Sequence, residues 1–312
     1  MKTIKVLSLF DGISVAQQAI KEMGYEVVYY ASEINKYAIQ ITQKNHQNTI
    51  QLGDVRNIRG DIKVEKPQYI FSNENGELLS HYTGGIDLLI GGSPCQDLSV
   101  AKGRSREGLK GRRSALFYEY LRILKEIKPK YFILENVASM RDADRDIISE
   151  EIGIQPIMID AGLVSAQERK RYYWTNIKGI QQPKDRGLVI NDILELEETQ
   201  NRKYLTPQNT VRTIRGIKWD KSGKGYYSQQ DRAYSVNGKH PTLPTARTIT
   251  KVNVLFDDGV IGVLTWNEIE RLQSLQDGYT DLGNRNRIEK RGGVIGNAFN
   301  KEVIKHILSH IL

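Results

Sequence analysis

Two hydrophobic periods alternate along the first 140 residues. KVLSLF (5–10) is a short apolar run closed by Asp11-Gly12, a turn signal, and predicts a strand. SVAQQAIKEM (14–23) places Val15, Ala16, Ala19, Ile20 and Met23 on one helical face, with Gly24 as the stop. EVVYYASE (26–33) is β-branched and aromatic, so a strand. NKYAIQITQKN (35–45) reads as a helix and IDLLIGG (86–92) as a buried strand. Ser114 can cap a helix that runs to Lys128 before Pro129, with Leu116, Phe117, Tyr120, Leu121, Leu124 and Ile127 inward. YFILEN (131–136) is a further buried strand.

This alternation predicts an α/β fold: a mostly parallel, doubly wound sheet with helices on both faces. Residues 60–85 read as an irregular excursion. From about 179 the period dissolves into Gly, Tyr, Trp and basic residues, which predicts a small loop- or β-rich lobe. Helical periodicity returns at 265–275 and 300–312. The expected division is 1–178 plus 255–312 for the α/β domain and 179–254 for the lobe.

Ligands of such sheets sit outside the carboxyl ends of the strands. Those ends carry Asp11-Gly12, Glu33, Asp54, Pro94-Cys95 and Glu135-Asn136. One acid at a strand end is a common solubility feature, but a polar or reactive group at all five is not. FDGIS (10–14) opens a helix and lets a ligand meet backbone N–H groups, although many such turns are purely structural. Glu33 lies where nucleoside-binding folds hold ribose hydroxyls, and Asp54 can accept from an adenine amino group. No GxGxxG is present, so a dinucleotide has no evident cradle. An adenosine-containing cofactor fits this trio.

Composition narrows the class. The chain has 312 residues, a formal charge of +8 and one cysteine, Cys95. A single cysteine excludes an internal disulfide, and five histidines make a structural zinc site a poor fit. No apolar run reaches membrane-spanning length and the N-terminus does not resemble a signal peptide, so a reducing, cytoplasmic setting without metal is expected. Residues 179–254 hold 13 Lys and Arg against 7 Asp and Glu, and residues 102–113 hold six basic residues and one acidic. Two basic segments suit a polyanion, or simply solvate a surface.

Taken alone, Cys95 is better explained by an inert core thiol than by a nucleophile. Glu135 among Phe132, Ile133 and Leu134 is suited to hold or deliver a proton, unless it lies just past the strand in solvent. In QERKR (167–171), strand alternation would put Gln167, Arg169 and Arg171 on one face; a solvated basic edge is the other reading.

The ordered set LFDGIS, SEIN, GDV, GGSPCQDLS, LENV, QERKR and GGVIGNAF resembles the DNA cytosine-5 methyltransferases. VSAQERKRYYWTNI and YTDLGNRNR look most like the catalytic domains of the animal de novo enzymes, here in a chain that begins at the first motif, as bacterial and phage enzymes do. The resemblance implies S-adenosylmethionine as methyl donor, double-stranded DNA as partner, and Cys95, Glu135, Arg169 and Arg171 as catalytic residues. It implies cofactor contacts from Phe10, Asp11, Gly12, Ile13, Ser14, Glu33, Ile34, Asp54, Val55, Pro94, Leu116 and Asn297. DNA contacts are expected from Ser99, Lys102, Arg104 and Arg106, and from Arg202, Lys203, Arg212, Arg215, Lys218 and Lys224 in the lobe, which takes the place of a target-recognition region. KHPTLPTARTIT (239–250) resembles the motif that organises that lobe, and the glycines of 102–113 suit a loop that closes over DNA. The enzyme is expected to act as a monomer on a short target, with or without a cognate restriction endonuclease. One departure is Ser14, which stands where the family has a second glycine. A tRNA-methylating branch and a catalytically silent homologue remain open on sequence.

Overall fold

The structure is a computed structural model that describes residues 2–61, 68–72, 78–82, 85–95, 98–99, 107–111, 114–195, 210–213, 216–219, 232–245, 253–257, 259, 261–283 and 288–312. It divides into two units. The first comprises Met1–Ile159, Lys170–Gln182 and Val303–Leu312; the second comprises Asp160–Arg169 and Pro183–Glu302.

The first unit runs β1 (Thr3–Leu9), α1 (Val15–Glu22), β2 (Glu26–Ser32), α2 (Lys36–Asn45) and β3 (Ile50–Gln51). A three-stranded antiparallel sheet follows, β4 (Arg59–Asp61), β5 (Gln68–Ser72) and β6 (Leu78–Tyr82). The main sheet then resumes with β7 (Leu88–Gly92), α3 (Phe117–Ile127), β8 (Tyr131–Val137), α4 (Asp142–Ile152), β9 (Ile157–Asp160) and β10 (Lys170–Thr175). Its order is β3-β2-β1-β7-β8-β10-β9, with β10 antiparallel to β8. The mostly parallel α/β expectation holds. The irregular reading of 60–85 does not, since β4–β6 occupy part of it; these strands are too short and mixed in polarity to show a period of two.

The chain leaves β1 toward β2 and β3 and returns to β7 on β1's other side. That reversal opens a crevice at the carboxyl ends of β1 and β7. The two strands are held close there. Gly91 is paired with Leu9, and a Cβ on it would lie 2.9 Å from the Leu9 carbonyl oxygen and 3.1 Å from the Tyr120 ring. Only glycine fits without displacing main chain. Leu7, Leu9, Leu89 and Leu134 of the sheet bury against Phe117, Tyr120, Leu121 and Ile123 of α3 in one apolar core. Ser114 does not cap that helix. It opens a short 3₁₀ turn, and its hydroxyl donates instead to the Pro94 carbonyl at 3.4 Å.

The second unit contains β11 (Thr210–Thr213), β12 (Gly216–Trp219), β13 (Arg232–Ser235), β14 (Asn253–Leu255) and β15 (Ile261–Val263) in one five-stranded sheet. It also contains α5 (Trp266–Leu272) and α6 (Ile288–Asn297); α7 (Lys301–Leu308) follows in sequence. Thr265 and Glu268 form a capping box at the start of α5. A separate core joins Tyr234, Val236, Leu243, Val254, Ile269, Leu272 and Ile295. Among the described residues no helix is long and apolar enough to cross a membrane, and no group of three His, Cys, Asp or Glu could hold a metal ion.

Two histidines tie stability to pH. His46, in the first unit, is pushed down to about 4 by burial and then by the Lys21 ammonium. His240, in the second, is pushed down to about 4 by burial, partly opposed by its bond to the Pro241 carbonyl. Both fold as neutral rings while the unfolded chain takes up a proton near its ordinary pKa. Their stabilisation is therefore complete above about pH 6.5 and is lost as pH falls toward 4, by up to about 3 kcal/mol each. Thermal melts should drop steeply over this window, and His46→Gln or His240→Gln should flatten the drop. A pH dependence unchanged by either substitution would refute the assignment.

Candidate active site

At the end of β1 the backbone turns through left-handed residues, with φ +55° at Phe10, +63° at Gly12 and +55° at Ser14. This folds the loop so that side chains go inward and backbone faces outward. Ile13 and Ser14 are fully buried and Asp11 is 6% exposed, while Phe10 packs partly on the core. Burial pushes the Asp11 carboxyl up from its ordinary range, against the hydroxyls around it. The Gly12 N–H donates to Glu33 Oε2 at 2.8 Å. Glu33 Oε1 accepts the N–H groups of Ile34 and Asn35 at 2.9 and 2.8 Å. Burial raises the Glu33 pKa, opposed by these backbone donors. Three of about four acceptor positions on the carboxylate are used, which leaves capacity for a ligand hydroxyl.

Ile34 is 70% exposed, an unusual placement for a large apolar side chain and one suited to a flat ring. Asp54 is covered by Arg56, whose Nη2 lies 2.5 Å from Oδ2 and whose Nε donates to both oxygens. These bonds hold the Asp54 carboxyl below its ordinary range. With Arg56 64% exposed, solvent screens the pair, and Asp54 is easily shared with an incoming amino group. Arg56 was not foreseen from the sequence. Val55 differs from expectation: its side chain lies in the core, 5% exposed, and its carbonyl faces the Arg122 guanidinium at 3.4 Å.

Across the switch point, the β7 loop carries Pro94 and Cys95, both half-buried, with Cys95 packed against the core. The Cys95 carbonyl accepts the N–H groups of Leu98 and Ser99 at 2.9 Å each, closing a tight turn. Gly92 is paired with Glu135 on β8, so the cysteine loop springs from beside the acid. Glu135 does not end its strand, which continues to Val137, and it is 8% exposed. Arg171 on β10 meets it, Nε to Oε1 at 2.9 Å, each side chain 11% exposed. Leu116 sits half-buried at the start of α3.

Asn136, named at its strand end but given no role by the sequence, is buried and donates through Nδ2 to both the carbonyl and the hydroxyl of Ser93 at 3.1 Å. Its Oδ1 accepts the Val137 N–H. It thereby fixes the loop two residues before Cys95. The signal was present in sequence: a buried asparagine inside an apolar strand needs partners.

Arg169 and Arg171 do not share a strand face. β10 begins at Lys170, and Gln167 and Arg169 belong to the second unit. There the Arg169 guanidinium donates to the carbonyls of Gly296 and Ala298 at 3.2 and 2.7 Å. Gln273 donates to the Ile295 carbonyl at 3.0 Å. These bonds hold the turn that carries Asn297, whose exposed side chain donates to the Gly293 carbonyl. Arg212 and Lys218 stand on β11 and β12. Lys102, Arg104, Arg106, Arg202, Lys203, Arg215 and Lys224 lie outside the described residues.

The fold is that of known methyltransferases: the Entamoeba histolytica methyltransferase EhMeth superposes with a TM-score of 0.65 over 99% of this chain and 98% of its own, at 16% identity. Identity that low speaks for the fold alone. The family defined as C-5 cytosine-specific DNA methylase matches residues 4–312, and the chain belongs to it. A type II methyltransferase of Fusobacterium nucleatum, M.FnuDI, is 28% identical over 90% of both chains. An orphan methyltransferase of Bacillus phage rho11s, M.Rho11sI, is 34% identical over 64% of this chain, which spans only 37% of that protein.

Proposed function

We propose that the protein is a DNA (cytosine-5-)-methyltransferase that moves a methyl group from S-adenosylmethionine to C5 of a cytosine extruded from duplex DNA. The observation that carries this reading is the side-by-side carboxylate and guanidinium of Glu135 and Arg171, 2.9 Å apart, on the strands next to the cysteine loop. Such a pair matches the N3 and O2 edge of cytosine, and the edge is reachable only when the base leaves the stack.

The Cys95 thiolate adds to C6, forming a C–S bond and pushing electron density to C5. Glu135 holds a proton at N3, so that the ring accepts the nucleophile, and Arg171 fixes O2. The bound cofactor supplies the methyl group. A general base then takes the C5 proton, the C5–C6 double bond re-forms and the thiolate leaves. Arg169 supports the pocket in this reading. Glu33 would take the ribose hydroxyls, Ile34 would pack on the adenine, and Asp54 would accept its amino group. The backbone of 10–14, with Pro94, Leu116 and Asn297, would complete the pocket.

Residues 179–254 form the target-recognition region in this reading, with basic side chains on phosphates. Ser99 contacts DNA in this reading. The enzyme works as a monomer on a short target. Incubation with labelled S-adenosylmethionine and either duplex DNA or tRNA tests the proposal. Label enters DNA, and bisulfite sequencing of a plasmid from expressing cells reports the context. Label in tRNA alone, or in neither, overturns it.

A further inference from the structure

Asp11 sits in a cofactor loop, yet its carboxylate faces away from the crevice. Oδ1 accepts the Tyr29 hydroxyl at 2.8 Å, and Tyr29 is 1% exposed. Oδ2 accepts the hydroxyl of Ser14 in a short buried bond. Ser14 Oγ and Thr42 Oγ1 are 3.0 Å apart. A hydroxyl has one hydrogen, so with Ser14 donating to Asp11, Thr42 donates to Ser14. The chain from Thr42 through Ser14 and Asp11 to Tyr29 links α2, the loop and β2.

Ser14 occupies the N-cap position of α1 but makes no side-chain cap bond. Serine at that position ordinarily turns its oxygen to the helix N–H groups. Here the hydroxyl is spent on Asp11, and the backbone stands at φ +55°, a region that L-residues with a Cβ adopt at a cost. Gly12, between the two, is the residue whose N–H reaches Glu33.

We propose that Asp11 is a positioning residue. Its carboxylate, steadied by Tyr29, holds Ser14 in the left-handed conformation that glycine would adopt unaided, and so keeps the Gly12 N–H on Glu33. Asp11 and Ser14 together do the work of the second glycine of the family motif. Asp11 itself does not touch the cofactor. The inference rests on the reading of this crevice as the S-adenosylmethionine site.

The test is a double-mutant cycle read by calorimetric binding of S-adenosylhomocysteine, with thermal melts as the check on folding. Asp11→Asn keeps the shape but turns one acceptor into a donor. In the native background it should weaken binding at least tenfold (about 1.4 kcal/mol) and raise KM for the cofactor more than it lowers kcat. In the Ser14→Gly background the same substitution should cost less than about threefold, because glycine needs no support. Tyr29→Phe removes a single donor and should follow the same pattern on a smaller scale, which carries the test if Asp11→Asn fails to fold. An equal penalty in both backgrounds would mean a direct contact with the cofactor and would overturn the proposal, as would no penalty in either. A native protein that does not bind S-adenosylhomocysteine would instead refute the cofactor reading, and the inference with it.

Discussion

Replacing Cys95 with alanine should abolish methyl transfer, with kcat falling by at least about 10³-fold, while S-adenosylhomocysteine still binds. The expectation follows from where the thiol sits. Cys95 is half-buried on a turn whose carbonyl is tied to Leu98 and Ser99, and Asn136 pins that loop through Ser93. The sulfur is therefore placed by backbone, and the substitution removes chemistry without removing shape. C5 of cytosine is a poor nucleophile until C6 is attacked, and Cys95 is the chain's single cysteine. Duplex DNA carrying 5-fluorocytosine should form a denaturation-resistant adduct with the native protein and none with Cys95→Ala. Turnover that survives the substitution would disprove the covalent route.

The second large effect is expected at the Glu135–Arg171 pair. Both side chains are 11% exposed, so truncating one strands the other's charge in a poorly solvated place. Arg171→Ala should cost stability by about 3–5 kcal/mol, and Glu135→Ala by a similar amount. Glu135→Gln separates structure from chemistry. It keeps volume and hydrogen bonding but cannot exchange a proton at N3, and it should lower kcat by about 10²–10⁴-fold with a smaller loss of stability. Single-turnover rates and chemical melts together measure both. If Glu135→Gln turns over at the native rate, the acid has been assigned to the wrong residue. If Arg171→Ala melts like the native protein, the pair does not matter to the fold.

The main sheet could be read in advance where burial is two-sided. The runs 5–10, 26–33, 86–92 and 131–136 are apolar because parallel strands are covered on both faces, and all four became strands. The pair Ile50–Gln51 is too short to announce itself, and β4–β6 carry no sustained alternation. Site positions were legible as strand ends, but side-chain directions were not. Nothing in FDGIS says that Asp11 turns inward, because that depends on φ at Phe10 and Ser14 and on a hydroxyl from Tyr29, 18 residues away. QERKR shows the same limit: two positions along the chain separate Arg169, which braces the end of α6, from Arg171, the partner of Glu135. Residues 160–169 and 255–302 belong to the second unit.

The close approach at Gly91 has a consequence for how such a site persists. The loop after β1 and the loop after β7 are separated by a distance written in main-chain atoms, the Leu9 carbonyl oxygen against a bare Cα. A substitution among the side chains that line the crevice leaves that span unchanged, whereas any Cβ at position 91 must push the two strand ends apart. In the proposed reading, Gly91→Ala would therefore widen the reach between cofactor loop and cysteine loop without touching either.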